Sequence, residues 1–291
     1  MKIFTHAAAL QDYLANVSNN DKEVGFIPTM GALHDGHIEL LKQSINQGLI
    51  TVCSIFVNPT QFNNTDDFNK YPKTLSSDAE QLKRAGADIL FAPEVSEIYP
   101  GGTSTLETFD LGYLETILEG TSRPGHFQGV CQVMKRLLTI VSPRYLFMGQ
   151  KDYQQCMVVR RLLQLMDSDI QLITAPTVRQ SDGLALSSRN QRLSTAAKEN
   201  ATAIYKTLVF VNESIIPGEL NGLRSESEAK LSASGFTVDY VAFGIAETLE
   251  IVNSWDGQTP LVCLIAAFIE DVRLIDNMKL SATSTKKENN Q

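Results

Sequence analysis

EVGFIPTMGALHDGHIELLKQSINQGLITVCSIFVN, Glu23 to Asn58, is the stretch whose reading decides the fold. It opens on a short apolar run, EVGFIP, and closes on a near-continuous, β-branched one, LITVCSIFVN. Both read as strands, the second as one buried on both faces. Between them, HIELLKQSINQ spaces its apolar residues as a helix does. Strand, helix and strand in so short a span form a βαβ unit, whose strands lie parallel in one sheet.

The alternation continues outward from there. LSSDAEQLKRAG reads as a helix ending on Gly86, and ADILFAP as a buried strand. FQGVCQVMKRLLTIV reads as a helix, RYLFMG as a strand, KDYQQCMVVRRLLQLM as a helix and IQLITAP as a strand. SEIYPGGTSTLETFDLGYLETILEGTSRPG is less regular. The class is α/β, a Rossmann-like doubly wound parallel sheet. Past Asn190 the texture changes. STAAKENATAIYKTLVFV and the stretch around GELNGLRSESEAKLSAS read as helices, followed by strand-like FTVDYVAFG and LVCLIAAFIEDVRLIDN. These predict a smaller C-terminal α+β domain. The expected division is 1–177, 178–283 and a disordered tail, 284–291, polar and without apolar anchors.

Composition limits the function classes. A chain of 291 residues, 43% hydrophobic and 20% charged, can bury sizeable cores. Its net charge of −8 argues against nucleic acid as a partner. A local Lys and Arg cluster can still hold a small anion. No apolar run reaches the roughly 18 residues of a membrane span, so no membrane partner is expected. MKIFTHAAALQDYL is too short and too polar for a signal peptide. Cys53, Cys131, Cys156 and Cys263 lie far apart among apolar neighbours, which predicts reduced, buried thiols and a cytoplasmic protein.

Parallel sheets bind ligands at the carboxyl ends of their strands. PTMGALHDGH, FVNPTQF, FMGQKD and APTVRQSDGLALSSRN all begin at such ends. The chain has four histidines, and His34 and His37 stand at one of these strand-to-helix turns. A helix N-terminus offers N–H groups and partial positive charge to phosphate, and imidazole donors there would add to them. Gly36 would let a flat group approach the backbone. The pair could also arise by chance or hold a metal. A catalytic zinc needs a third ligand, none stands nearby in sequence, and His126 is the distant histidine considered for it. HExxH, GxxxxGK[ST], GxGxxG and GxSxG are all absent.

GQKDYQQ places Lys151 at a strand end, with Asp152 and Gln155 on the following helix. GLALSSRN places Ser187, Ser188 and Arg189 in a short loop. Alone, either segment also reads as solvated charge beside a helix-capping serine. Together with the histidines they make a clamp for a triphosphate. Asn58 and Gln61 in FVNPTQF supply neutral amides suited to hydroxyls and carboxylates. Arg123 is a further cation. The long loop after Gln61 is a candidate lid.

PTMGALHDGH, SIFVNPTQF, YPKT, FAPEVSEIYP, SRPGHFQGV, GQKDYQQ and DGLALSSRN, in this order and spacing, resemble the pantoate–β-alanine ligases, or pantothenate synthetases. The resemblance runs from about residue 1 to residue 280 and includes AAFIEDVRLIDN. The two histidines alone would mark only the wider superfamily of nucleotidyltransferases and class I aminoacyl-tRNA synthetases. The resemblance implies ATP and Mg²⁺ as cofactors, pantoate and β-alanine as substrates, and a homodimer. Pantoate would attack the α-phosphorus of ATP to give pantoyl adenylate and pyrophosphate. β-Alanine would then displace AMP. The resemblance puts the ATP cradle at Met30, Gly31, Ala32, Leu33, His34, Asp35, Gly36 and His37. It adds Gly149, Gln150, Lys151, Asp152, Val178, Leu186, Ser187, Ser188 and Arg189 to nucleotide binding. His34, His37, Lys151, Ser187, Ser188 and Arg189 would carry catalysis, with His37 the proton donor. Gln61 and Gln155 would hold pantoate, with Asn58 beside them. Pro28, Met30, Phe62 and Val133 would enclose its methyl groups. Family members commonly have Glu where this chain has Gln150. Protein ligands to magnesium are not assigned, and Asp78 is the carboxylate considered for help.

Three other readings compete. An adenylyltransferase of the same superfamily would share the histidines, would not need the Gln61 and Gln155 pair, and would want more cations for a phosphate acceptor. A metal-dependent hydrolase would use His34, His37 and His126. A nucleotide sensor would have kept the fold without the chemistry.

Overall fold

A computed structural model of the chain describes residues 1–18, 22–62, 68, 69 and 71–280. Most of the candidate lid, at 63–67 and 70, and the expected tail, 284–291, lie outside the described residues. The chain divides into two compact units. The first holds Met1–Gln150 and Gln154–Pro176, and the second holds Lys151–Tyr153 and the described residues from Thr177 onward.

The first unit is built on a six-stranded sheet. Its strands are β1 (Lys2–Phe4), β2 (Val24–Thr29), β3 (Ile50–Ile55), β4 (Ile89–Phe91), β5 (Tyr145–Gly149) and β6 (Gln171–Ala175). They run in the order β1-β4-β3-β2-β5-β6, and every pairing is parallel. The chain winds outward from β2 through β3 to β4, then crosses back to lay β5 on the other side of β2. The carboxyl ends of β2 and β5 therefore flank the switch point, where open α/β sheets hold their ligands. All of β3 is buried, as its unbroken apolar run requires. Cys53 and Ile55 of β3 pack with Ile27 of β2 and with Leu40, Leu41 and Leu82 from the helices Asp35–Asn46 and Leu75–Ala85. The doubly wound α/β expectation is met. It missed β1 and the helix Ala7–Ser18, because a three-residue strand is too short to show a period.

The second unit carries the helices Thr195–Ser214 and Asn221–Ala233 and a three-stranded antiparallel sheet. Strand Leu261–Ile269 lies in the middle, between Thr237–Ile245 and Val272–Lys279. It is buried everywhere but at Phe268. Its side chains pack with Ile204, Leu208 and Val211 of the first helix. LVCLIAAFIEDVRLIDN, read as one strand-like run, folds as a hairpin that turns at Glu270, whose φ is +52°. Glu270 and Asp271 interrupt its apolar pattern, and the chain turns there.

Among the described residues no helix is long and apolar enough to cross a membrane. All four cysteines are buried thiols. Burial pushes the Cys53 and Cys131 thiols up to about 12.

Candidate active site

The turn between β2 and its helix is held from below. Gly31 and Ala32 both have positive φ, +84° and +49°. Glycine adopts this readily and alanine rarely, so the turn needs support. Thr29 Oγ1 donates to the Ser54 carbonyl at 2.7 Å and accepts from the Gly31 amide at 3.2 Å. Asp78, 1% exposed, supplies the rest. Its Oδ2 accepts from Ala32 N at 2.9 Å and its Oδ1 from Leu33 N at 3.0 Å. Thr74 Oγ1 donates to Oδ2 at 2.9 Å. Both carboxylate oxygens thus serve the backbone of the turn. Asp78, the carboxylate considered for help with magnesium, thus anchors the turn with both of its oxygens. In sequence, Asp78 looks like any acid on the first turn of a helix.

His34 is the N-cap of helix Asp35–Asn46, and His37 is its third residue. His34 Nδ1 accepts from Gly36 N at 3.2 Å, and His37 Nδ1 accepts from His34 N at 3.3 Å. This is the reciprocal pattern of a capping box, made with two imidazoles. The rings lie 4.1 Å apart, centroid to centroid. Because each Nδ1 accepts a backbone N–H, each neutral ring carries its proton on Nε2. The cap therefore fixes both tautomers as Nε2 donors at a helix N-terminus, the arrangement that suits phosphate oxygens. His126 does not join them. Its Nδ1 donates to the Gln61 carbonyl at 2.8 Å and its Nε2 is 3.3 Å from Arg123. Among the described residues no group of three His, Cys, Asp or Glu could hold a metal ion. The hydrolase reading loses its third ligand.

After β3, the short turn Pro59–Gln61 is capped by Asn58. Asn58 is 1% exposed and fully engaged. Its Nδ2 donates to Gln61 Oε1 at 3.2 Å and to the Gly129 carbonyl at 3.0 Å. Its Oδ1 accepts from Tyr99 OH at 2.9 Å. Burial raises the Tyr99 pKa, so the hydroxyl stays a neutral donor. Asn58 thus stands behind Gln61 and aims it, while Gln61 Nε2 lies 3.0 Å from Met30 Sδ. Gly129 permits this packing, since a Cβ there would come within 2.3 Å of the Thr60 carbonyl oxygen. Pro28 lies on β2, Val133 is buried on helix His126–Val141, and Phe62 meets Tyr71 edge-on at 5.8 Å. Of the two adjacent glutamines, Gln154 is buried and bonds Leu114 and Ile117 carbonyls, while Gln155 is half-buried. His126, Tyr99 and Asp78 were not legible as support for this site, because each acts on a residue distant in sequence.

The remaining expected residues belong to the second unit, apart from Gly149 at the end of β5 and Gln150 after it. Asp152 lies in the short turn Gln150–Asp152, ahead of the helix Tyr153–Leu165 rather than on it. Lys151 Nζ is 3.5 Å from Asp152 Oδ1. Val178 and Leu186 face each other across a small hairpin, with Leu186 N donating to the Val178 carbonyl at 3.0 Å. Ser187 caps the turn Ser188–Arg192 and accepts from Arg189 N at 3.3 Å. Ser187 is thus a capping serine and also shares one short turn with Ser188 and Arg189.

The sequence matches the Pantoate-beta-alanine ligase family over residues 2–279. It is 43% identical to a pantothenate synthetase of Cytophaga hutchinsonii over 277 residues, covering 94% of this chain and 97% of that one. It is 41% identical to that of Bacteroides fragilis over 281 residues, covering 96% and 99%. Among solved structures, a pantothenate synthetase from Thermus thermophilus superposes with a TM-score of 0.84 at 36% identity, over 96% of this chain and 99% of that one. A pantoate-β-alanine ligase from Francisella tularensis, crystallised with β-γ ATP and β-alanine, gives 0.81 at 35% identity, over 96% and 97%.

Proposed function

The chain belongs to the pantoate–β-alanine ligase family, and on that basis we propose that it joins pantoate to β-alanine using ATP, yielding pantothenate, AMP and pyrophosphate. A pantoate carboxylate oxygen bonds to the α-phosphorus, and the bond from that phosphorus to the β,γ-diphosphate breaks. The amine of β-alanine then bonds to the acyl carbon, AMP leaves with the electron pair, and the amine gives up a proton. Both nucleophiles come from substrates, so the protein supplies position and charge stabilisation.

One observation carries the reading: the reciprocal His34 and His37 cap after β2, with both Nε2 protons directed by the backbone. The nucleotide phosphates bind at this helix start, where His37 protonates or hydrogen-bonds the departing pyrophosphate. Met30 to Gly36 line the cradle. Lys151, Ser187, Ser188 and Arg189 grip phosphate oxygens, while Gly149, Gln150, Asp152, Val178 and Leu186 complete nucleotide binding. Gln61 and Gln155 hold the hydroxyl and carboxylate of pantoate, aimed in the first case by Asn58. Pro28, Met30, Phe62 and Val133 enclose its methyl groups. Mg²⁺ would accompany the triphosphate and neutralise phosphate charge, with Asp78, whose oxygens also hold the turn, the carboxylate near the cradle. From the family resemblance we further propose that the working form is a cytoplasmic homodimer.

Pyrophosphate release with Mg·ATP and (R)-pantoate tests the proposal, first without β-alanine and then with it. The expected result is a pantoate-dependent burst, followed by turnover to AMP and pantothenate once β-alanine is added. Folded protein that binds ATP and releases no pyrophosphate in either condition would point instead to an adenylyltransferase with a phosphate acceptor.

A further inference from the structure

Asp276 and Asn277 are neighbours on strand Val272–Lys279, and the reaction gives neither a role. Both are polar and almost fully buried, 4% and 2% exposed. Their hydrogen bonds run to Lys151 and to Arg179, in the hairpin that leads into Ser187, Ser188 and Arg189. Asn277 Nδ2 donates to the Lys151 carbonyl at 2.8 Å. Asp276 takes both terminal nitrogens of Arg179, with Nη2 3.0 Å from Oδ1. Arg179 also donates to the Gly183 carbonyl at 3.2 Å and lies 4.4 Å from the centre of the Tyr205 ring. Arg179 bridges to Ala185 across the Val178–Leu186 hairpin, which leads directly into Ser187, Ser188 and Arg189. One buried dipeptide therefore has a hydrogen-bonded arm on each segment.

Stability alone is a poor account of this arrangement. A buried ion pair is often no more stabilising than apolar residues of the same volume. What a two-pronged Arg–carboxylate contact does supply is fixed orientation. Holding a main-chain carbonyl beside a lysine has the same effect on where that lysine starts. We infer that Asp276 and Asn277 are positioning residues that set the places of Lys151 and of the Ser187–Arg189 turn for the nucleotide phosphates. The inference rests on the reading that those two segments bind phosphate.

A double-mutant cycle on the full chain tests both levels. The variants are Lys151→Ala, Asn277→Ala and the pair, with near-isosteric Asp276→Asn as a gentler companion should Asn277→Ala fold poorly. Pantoate-dependent pyrophosphate release gives kcat and the KM of each substrate, and calorimetric titration gives ATP binding directly. Asn277→Ala lowers kcat/KM for ATP by about tenfold or more, as expected when a misplaced phosphate-gripping group loses its hold on the transition state. The pantoate KM stays where it was. In the Lys151→Ala background the same change adds little further loss, as expected of a residue acting through Lys151. Asp276→Asn weakens ATP in the same selective way. Fully additive losses overturn the inference, as does a fall in kcat with ATP binding and ATP KM unmoved, which is the mark of a merely structural residue. Wild-type pyrophosphate release by Lys151→Ala would instead remove the phosphate reading, and the inference with it.

Discussion

Asp78→Asn is the most informative single substitution. The carboxylate accepts three hydrogen bonds, from Ala32 N, Leu33 N and Thr74 Oγ1, at 2.9, 3.0 and 2.9 Å. Asparagine has the same size and retains one acceptor. If its oxygen stays on Leu33 N, its NH₂ group faces the Ala32 N–H, and two donors oppose each other. Ala32 N keeps only Thr74 Oγ1, at 3.1 Å. Thr74 Oγ1 can turn to accept from the new NH₂, so losing the charge-assisted Ala32 bond of about 1.5–3 kcal/mol and weakening the Leu33 bond predicts destabilisation of about 2–4 kcal/mol. At about 2–4 °C per kcal/mol for a domain of this size, the melting transition falls by roughly 5–15 °C. The rate effect is larger. The Gly31–Ala32 turn aims His34 and His37, and displacement by about 1 Å costs on the order of a hundredfold in rate. Circular-dichroism melting, together with pyrophosphate release well below the transition, measures both. A variant that melts with wild type and keeps the wild-type rate would refute the reasoning. Restoration of activity by excess Mg²⁺ would also refute it, because that is the behaviour of a lost metal ligand and not of a slackened turn.

Further outcomes follow from the same geometry. His37→Ala abolishes pantoate-dependent pyrophosphate release while its melt moves only a few degrees, since the lost cap is worth about 1 kcal/mol. Wild-type release would take His37 out of the chemistry. Gly129→Ala forces a methyl to within 2.3 Å of the Thr60 carbonyl oxygen and so shifts the turn carrying Gln61. Steady-state kinetics should show a raised pantoate KM with the ATP KM unchanged, and an unchanged pantoate KM would contradict the role of that turn. Cys53 and Cys131 stay protonated in the fold, their thiols pushed from 9.0 up to about 12 by burial. Native protein at pH 8 therefore resists thiol reagents at both positions. Above pH 9 the unfolded chain loses these protons while the folded chain keeps them, so stability declines as pH rises towards 12. Rapid native labelling of Cys53, or denaturation midpoints that do not fall over that range, would contradict this.

What could be read from the sequence was local. The apolar run at β3 and the helical spacing after His37 are decided by neighbours, and the sheet followed from them. The histidine turn was legible because its cap and its partner stand three residues apart. The hairpin at Glu270 was not, because an apolar strand of nine residues precedes it and apolar residues resume at once. The residues that steady the site were invisible for a related reason. Asp78 acts across 46 residues, His126 across 65 and Asn277 across 126. Each is a common side chain in an ordinary setting until the fold brings its partner to it. Asn58 looked like a substrate contact by type, and only its burial and its four neighbours place it behind Gln61.

The grouping of Lys151–Tyr153 with the second unit bears on how the protein is made. The ribosome delivers this tripeptide 126 residues before Asn277, which holds the carbonyl of its lysine. Tyr153, likewise, donates its hydroxyl to the carbonyl of Ala246, a residue synthesised much later. The tripeptide therefore emerges long before its own unit can exist, and that unit is finished only when the strand Val272–Lys279 has left the exit tunnel. Expression of a fragment beginning at Thr177 would remove the Lys151 carbonyl that Asn277, 2% exposed, bonds. A nascent chain halted before this last strand would carry the lysine without the hydrogen bond that fixes it.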